Sequence, residues 1–338
     1  MPPVGDERPV LVAPDAFKGT LTAAQVAGAI GRGIERAGLR PPDLCPVADG
    51  GEGTAATLLL GLGGETAGTV ARDPLGRPRP AGFALVEDGA TAIVEVAAAT
   101  GLPLLAADER DPLRATSHGT GELIVAAIRE GASVVLVACG GSATVDGGAG
   151  VLEVLAASGL RLGGTGPVDA RLVCLCDVRT PWEAAAATFG PQKGATPETL
   201  PLLERRMTEQ AAALPRDPRG VPSTGAAGGI AGALWAAHDA VLEPGAPFVL
   251  GALDVEERVR AARAVVVGEG RIDATTLEGK VAGAIAAIAR RHGVPVLAVV
   301  GRNALDPAAR EALGLRAVVE AGDVAALEAA GERVAAYL

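Results

Sequence analysis

The chain has 338 residues, 49% hydrophobic and 21% charged, so it can bury a large core and is not a disordered segment. Its 30 basic and 40 acidic side chains give a formal charge of −10, and no basic cluster exceeds a pair, which excludes a binder of duplex nucleic acid or anionic membrane. Four Phe, two Trp and one Tyr are too few for a surface that stacks single-stranded bases.

Glycine, at 47 residues, is about twice as frequent as usual. The length suits one large or two medium α/β domains. The cysteines Cys45, Cys139, Cys174 and Cys176 lack the Cys-x2-Cys spacing of a zinc site and each lies in or beside an apolar run. They read as small buried hydrophobes, and no disulfide framework is implied. Met1 to Arg8 hold no apolar signal-peptide core, and no apolar run approaches the ~18 residues of a membrane span. A soluble cytoplasmic protein is expected.

Apolar runs alternate with helical patterns along the chain, the signature of an α/β fold. Pro9 to Ala13 reads as a buried strand that ends in Pro14-Asp15-Ala16-Phe17-Lys18-Gly19-Thr20. Thr22 and Gln25 have capping-box spacing, with Leu21 and Val26 placed as a hydrophobic staple. Val26, Ile30, Gly33, Ile34 and Ala37 then share one helical face, and Gly38 ends it. Leu44 to Ala48 is strand-like, ends in Asp49-Gly50-Gly51-Glu52-Gly53-Thr54, and precedes a helix over Ala55 to Leu60. Thr91 to Val96 reads as strand, Gly121 to Arg129 as helix, and Ser133 to Ala138 as strand. Gly140 to Gly148 follows, then a helix over Val151 to Ala157 and a strand over Leu172 to Cys176 that ends at Asp177. Leu214 to Gly225 is a long loop. Ala264 to Val267 is a strand ending in Gly268-Glu269-Gly270-Arg271-Ile272-Asp273, followed by a helix over Val281 to Arg290 and a strand over Val296 to Val300. The outer thirds look doubly wound and the middle less regular. The expectation is a discontinuous first domain, about 1–75 with 245–338, and an inserted second domain, 76–244.

Glycine-rich or acidic loops follow the strands, where open α/β sheets bind ligands. Gly140, Gly141, Ser142, Ala143 and Thr144 follow a strong strand and open toward a helix, a setting that suits phosphate. Asp15, Asp49, Glu52, Asp177 and Asp273 could ligate Mg²⁺ or accept a proton from a substrate hydroxyl; singly, each also fits a turn or helix cap. Lysines are scarce, so Lys18, Lys193 and Lys280, with Arg271, stand out as counter-charges in these loops. His118 reads as a local cap or turn residue. Walker A, Gly-x-Gly-x-x-Gly after a strand, Gly-x-Ser-x-Gly and His-Glu-x-x-His are all missing, which argues against P-loop, dinucleotide, acyl-transfer and metalloprotease chemistry.

As a set, these loops resemble a known family. Ala13 to Leu21, Ala48 to Thr54, Asp73-Pro74-Leu75-Gly76-Arg77 and Ser117 to Ile124 are similar, in order, to signatures of the bacterial type of glycerate kinase. So are Gly140 to Thr144 with Asp146-Gly147-Gly148, Phe189 to Ala195, Gly225 to Gly229, and Gly268 to Asp273 with Gly279-Lys280. The resemblance implies a two-domain α/β kinase, one domain flavodoxin-like with a Rossmann-like parallel sheet and the other an inserted α/β domain, with the active site in the cleft between them. It also implies transfer of the γ-phosphate of MgATP to D-glycerate, with 2-phosphoglycerate favoured over the 3-phosphate. The partner is then a small-molecule substrate, neither nucleic acid nor membrane, and a homodimer is compatible with it. Val145, His118, Thr180-Pro181-Trp182, the alanines Ala184 to Ala187, and Ala274 before Thr275 depart from the family pattern.

The expected mechanism is in-line phosphoryl transfer, dominated by positioning and charge stabilisation. Gly140 to Thr144 would hold the ATP phosphates, with Asp146 and Lys280 beside them. Glu269 and Asp273 would hold Mg²⁺, and Lys18, Lys193 or Lys280 would offset charge on the γ-phosphoryl. Asp49, Gly50, Gly51, Glu52 and Gly53 would bind the acceptor, with Arg77 or Arg271 on its carboxylate. Asp177 is the first candidate for the base and Asp15 the second. A kinase of another small hydroxy acid, a non-catalytic nucleotide- or hydroxy-acid-binding regulator, and a nicotinamide-dependent dehydrogenase are the rival readings.

Overall fold

The computed structural model describes residues 7–164, 166–274, 276 and 280–338. Met1 to Asp6, Thr275 and Gly279, which the sequence expectations touch, lie outside the described residues. The chain divides into two compact units, one of Met1–Asp49 with Ala246–Leu338 and one of Gly50–Gly245.

The first unit is built on a parallel sheet of β1 (Val10–Pro14), β2 (Asp43–Leu44), β9 (Ala264–Ile272), β10 (Val296–Asn303) and β11 (Leu315–Glu320) in the order β11-β10-β9-β1-β2. The chain reaches β2 on one side of β1 and later returns to β9 on the other, so strand order reverses at β1. That reversal opens a crevice beyond the carboxyl ends of β1 and β9, where doubly wound sheets bind ligands. The apolar run expected over Leu44 to Ala48 pairs in the ladder only at Asp43–Leu44, because Pro46 has no N–H to contribute. Cys45 and Val47 still donate to Val12 and Pro14 carbonyls, so the segment stays against β1.

The helix Ala23–Arg36 carries the capping box expected from Thr22 and Gln25, each side chain meeting the other's backbone N–H. Its buried face packs on the helix Val324–Val334. A Cβ on Gly33 would lie 1.9 Å from the Glu328 carbonyl oxygen, and one on Gly331 would lie 2.2 Å from that of Ile30. Two glycines thus let these backbones touch, and Arg32 and Arg36 close the contact on Glu328.

The second unit holds a mixed sheet of β3 (Glu65–Arg72), β4 (Pro78–Val86), β5 (Thr91–Glu95), β6 (Val134–Ala138), β7 (Arg171–Cys176) and β8 (Val241–Pro244), in that order. The β3–β4 and β4–β5 pairs are antiparallel, and β5 to β8 are parallel. Residues 50–75, assigned to the first domain on sequence, belong here because β3 pairs with β4 along its whole length. The hairpin is hard to see in sequence, since most of β3 is exposed on both faces. All four cysteines are buried free thiols, and no described helix is long and apolar enough to cross a membrane.

Candidate active site

Two clusters carry the polar residues singled out above, one at the carboxyl edge of each sheet. In the first unit, a cavity of about 520 Å³ opens beyond β1 and β9, lined by Asp15, Lys18, Asp49, Glu269, Arg271 and Lys280 among others. Asp15 follows β1 directly, its backbone N–H donating to the Gly268 carbonyl at 2.8 Å. One carboxylate oxygen of Asp15 accepts the Ala16 N–H. Lys18 pairs with Asp49 at 2.8 Å. Burial, and then the negative charge of Asp49, push the Asp15 carboxyl up to about 7, against a smaller opposing pull from Lys18. A carboxyl with that midpoint exchanges protons readily at neutral pH.

On the neighbouring strand, Glu269 is buried and accepts the Thr276 hydroxyl at 3.0 Å, and burial raises its carboxyl above the usual range. Lys280 lies 3.7 Å from Glu269 and 3.9 Å from Asp273, while Arg271 meets Asp273 at 3.2 Å. The two carboxylates assigned to Mg²⁺ are therefore flanked by cations. Among the described residues, no group of three or more His, Cys, Asp or Glu side chains converges as a cage for a metal ion. Arg302 of β10 stands in register with Arg271 of β9 and lines the same cavity. The strand-end pattern used on the sequence missed it, because the apolar run ends two residues earlier, at Val300.

In the second unit, the loop after β6 lies on the loop before helix Thr54–Leu62. A Cβ on Gly140 would lie 2.6 Å from the Gly51 Cα, and one on Gly141 would lie 3.7 Å from a Glu52 carboxylate oxygen. Lys193 is buried and donates at 2.8 Å to both the Ser142 hydroxyl and the Thr144 carbonyl. Burial lowers its ammonium to about 7, while the charges of Asp146 and Asp177 hold it up. Asp177 itself is exposed, just beyond β7. The Thr144 hydroxyl is buried and without a hydrogen-bond partner.

Several expected residues have other work. Asp146 takes the N–H groups of Ser117, Gly148 and Gly150 and the Ser117 hydroxyl, and that same hydroxyl accepts the Val151 N–H. The start of helix Ala149–Ser158 is thus already satisfied by a carboxylate of the chain itself, not left open for phosphate. The Ala143 N–H donates to the Thr100 carbonyl, so it too is occupied. Arg77 closes the β3–β4 turn: Asp73 accepts the N–H groups of Leu75 and Arg77, and the Arg77 guanidinium binds both Asp73 and Glu109. His118 begins its helix and pairs with Glu153 at 2.9 Å. That pair and Arg72–Glu122 line a wider groove of about 710 Å³ beside β3.

All three lysines of the chain, Lys18, Lys193 and Lys280, fall in these two clusters, and arginine supplies every other fixed cation. The glycerate kinase family model matches residues 10–167 and 162–338. The chain belongs to the glycerate kinase family. Members of this family are ATP-dependent kinases that phosphorylate an alcohol group. A glycerate kinase of Bacillus subtilis is 38% identical, over 97% of this chain and 94% of its own length. A glycerate 2-kinase of Escherichia coli is 37% identical, over 86% of this chain and 84% of its own. A crystal structure described as a glycerate kinase 2 of Salmonella typhimurium LT2 superposes with a TM-score of 0.81 at 34% identity, covering 98% of both chains.

The departures from the family pattern are partly explained by packing. Val145, Trp182, Ala185 and Ala186 are buried in one apolar cluster with Leu203 and Met207, and the Trp182 indole donates to the Met207 carbonyl at 2.8 Å. These substitutions repack the support of the Gly140 loop rather than its open face. Nothing in the structure explains Ala274.

Proposed function

We propose that this enzyme transfers the γ-phosphoryl group of ATP to D-glycerate, at the 2-hydroxyl in preference to the 3-hydroxyl. The acceptor oxygen attacks the γ-phosphorus, the bond from phosphorus to the β,γ-bridging oxygen breaks, and ADP leaves. The acceptor's proton passes to Asp15. The observation that carries this reading is the Asp15 carboxyl itself, pushed up to about 7 inside a cavity that also holds cations. A base whose midpoint is near the working pH combines availability with driving force. Asp177, the first candidate on sequence, is exposed just beyond β7; we place Asp15, inside the cavity, ahead of it.

Lys18 and Lys280 offset charge in the first unit, Arg271 with Arg302 is the candidate for the acceptor's carboxylate, and the Gly50–Gly53 loop with Glu52 is the candidate for its hydroxyl groups. The Gly140–Thr144 loop, stiffened from below by Lys193, is the candidate for the ATP phosphates. A Mg²⁺ carried with ATP would supply charge neutralisation on the phosphates. Hard carboxylate oxygens from Asp49 or Glu269 would suit an ion that keeps most of its ligands from phosphate and water. Preference for the 2-hydroxyl is supported by the relative named for that activity.

Phosphorus NMR of the protein with MgATP and D-glycerate tests the reading. A new phosphomonoester coupled to one carbon-bound proton is the 2-phosphate; coupling to two identifies the 3-phosphate and overturns the regiochemistry. ATP left intact at enzyme concentrations that saturate with nucleotide overturns the activity.

A further inference from the structure

Glu95 has no part in the chemistry above, yet it occupies a costly position. It is the last residue of β5, and burial raises its carboxyl above the usual range, with Glu52 adding to the effect. One of its oxygens accepts two backbone N–H groups, Gly53 at 3.0 Å and Ala55 at 2.8 Å. These amides lie where the Gly50–Gly53 loop enters helix Thr54–Leu62. That helix has no side-chain cap of its own, because Gly53 occupies its N-cap in the left-handed conformation. A local Ser or Asp would cap a helix without burying a charge. Here a carboxylate some forty residues away does so, on a loop whose Gly51 Cα touches Gly140 and whose Glu52 carboxylate lies beside Gly141. One oxygen atom therefore fixes both the height of the Gly50–Gly53 loop over the Gly140 loop and the root of the Glu52 side chain.

We propose that Glu95 is a positioning residue for acceptor binding, holding the Gly50–Gly53 loop, and with it Glu52, in register with the Gly140–Gly141 loop. The inference rests on the reading that the Gly50–Gly53 loop binds the acceptor. Glu95→Gln keeps an oxygen that can accept both N–H groups, whereas Glu95→Asp withdraws it by one methylene and Glu95→Ala removes it.

The test uses the full chain in all three variants, with steady-state kinetics and amide hydrogen exchange over residues 50–57. In Glu95→Asp and Glu95→Ala, KM for D-glycerate is expected to rise at least ~10-fold, several times more than KM for ATP, with kcat within ~3-fold, because misplacement of about 1 Å is already costly and the loop is assigned to acceptor binding. Glu95→Gln is expected within ~3-fold of the parent in every constant, and the 50–57 amides lose protection only in the Asp and Ala variants. Unchanged KM values in Glu95→Asp overturn the proposal, as does a Glu95→Gln protein as impaired as Glu95→Ala. Should Glu95→Ala fail to fold, the Asp and Gln variants decide. If the parent does not phosphorylate glycerate, the functional reading falls on that result alone, and Glu95 is judged by exchange: retained protection in Glu95→Asp overturns its role.

Discussion

Replacing Asp15 by Asn separates activity from stability in opposite directions. Asp15 is ordinarily a carboxyl of pKa 3.8 and is pushed up to about 7 here, a difference worth about 4 kcal/mol between its two protonation states. Between pH 4 and 7 the folded protein holds this proton and the unfolded chain does not, so folding stability falls as pH rises through that window. Part of the Asp15 side chain meets solvent, which brings the penalty above pH 7 down to about 2–3 kcal/mol. Asn carries no charge and escapes it. Asp15→Asn is therefore expected to be more stable than the parent at pH 8 and nearly equal to it near pH 4, by urea denaturation at both pH values. Activity goes the other way: kcat should fall at least ~100-fold with the base removed. The parent's kcat/KM should drop about tenfold per pH unit below pH 7, and that limb should vanish in the variant's residual activity. An Asp15→Asn enzyme that keeps more than about a tenth of kcat, or loses stability at pH 8, refutes the assignment.

Asp177→Asn should retain more than about a tenth of kcat if Asp15 is the base as proposed; a ~100-fold loss in a kcat assay would restore Asp177 as first candidate. Lys193 binds its proton more weakly when folded, so the parent gains stability from pH 7 to 10 relative to Lys193→Met, and the same pH dependence of stability in the two proteins would contradict the lowering of its ammonium by burial. Arg77→Ala should lower Tm slightly through the β3–β4 turn and leave both KM values within ~3-fold; a selective rise in KM for glycerate would return Arg77 to the acceptor site. Gly140→Ala forces the Gly51 loop away from a 2.6 Å approach, so kcat/KM should fall at least ~10-fold while circular dichroism stays unchanged; full activity would show that the two loops need not touch.

What was legible beforehand and what was not divide by the range of the interaction. Thr22 and Gln25, three residues apart, form their capping box from local geometry alone, and the apolar runs of β1, β6, β7, β9 and β10 needed no partner to be recognised. The strand-end loops follow from those runs, which makes Asp15, Lys18 and Glu269 legible in the sequence. Distant partners decided the rest. The sequence places Asp146 beside the proposed phosphate loop, but only the fold shows Ser117, twenty-nine residues away, joining Gly148 and Gly150 on its oxygens. Lys193 is buried under the Gly140 loop, and nothing within its own turn announces a lysine whose ammonium is lowered to about 7. Gly33, read as one more member of an apolar face, is glycine because a helix some three hundred residues later touches its Cα. Glu95 escaped notice because its partners, Gly53 and Ala55, belong to a different strand–helix connection. Local hydrogen bonds and apolar periodicity are written in adjacent residues, whereas burial, charge pairing and backbone approach exist only once separate segments meet.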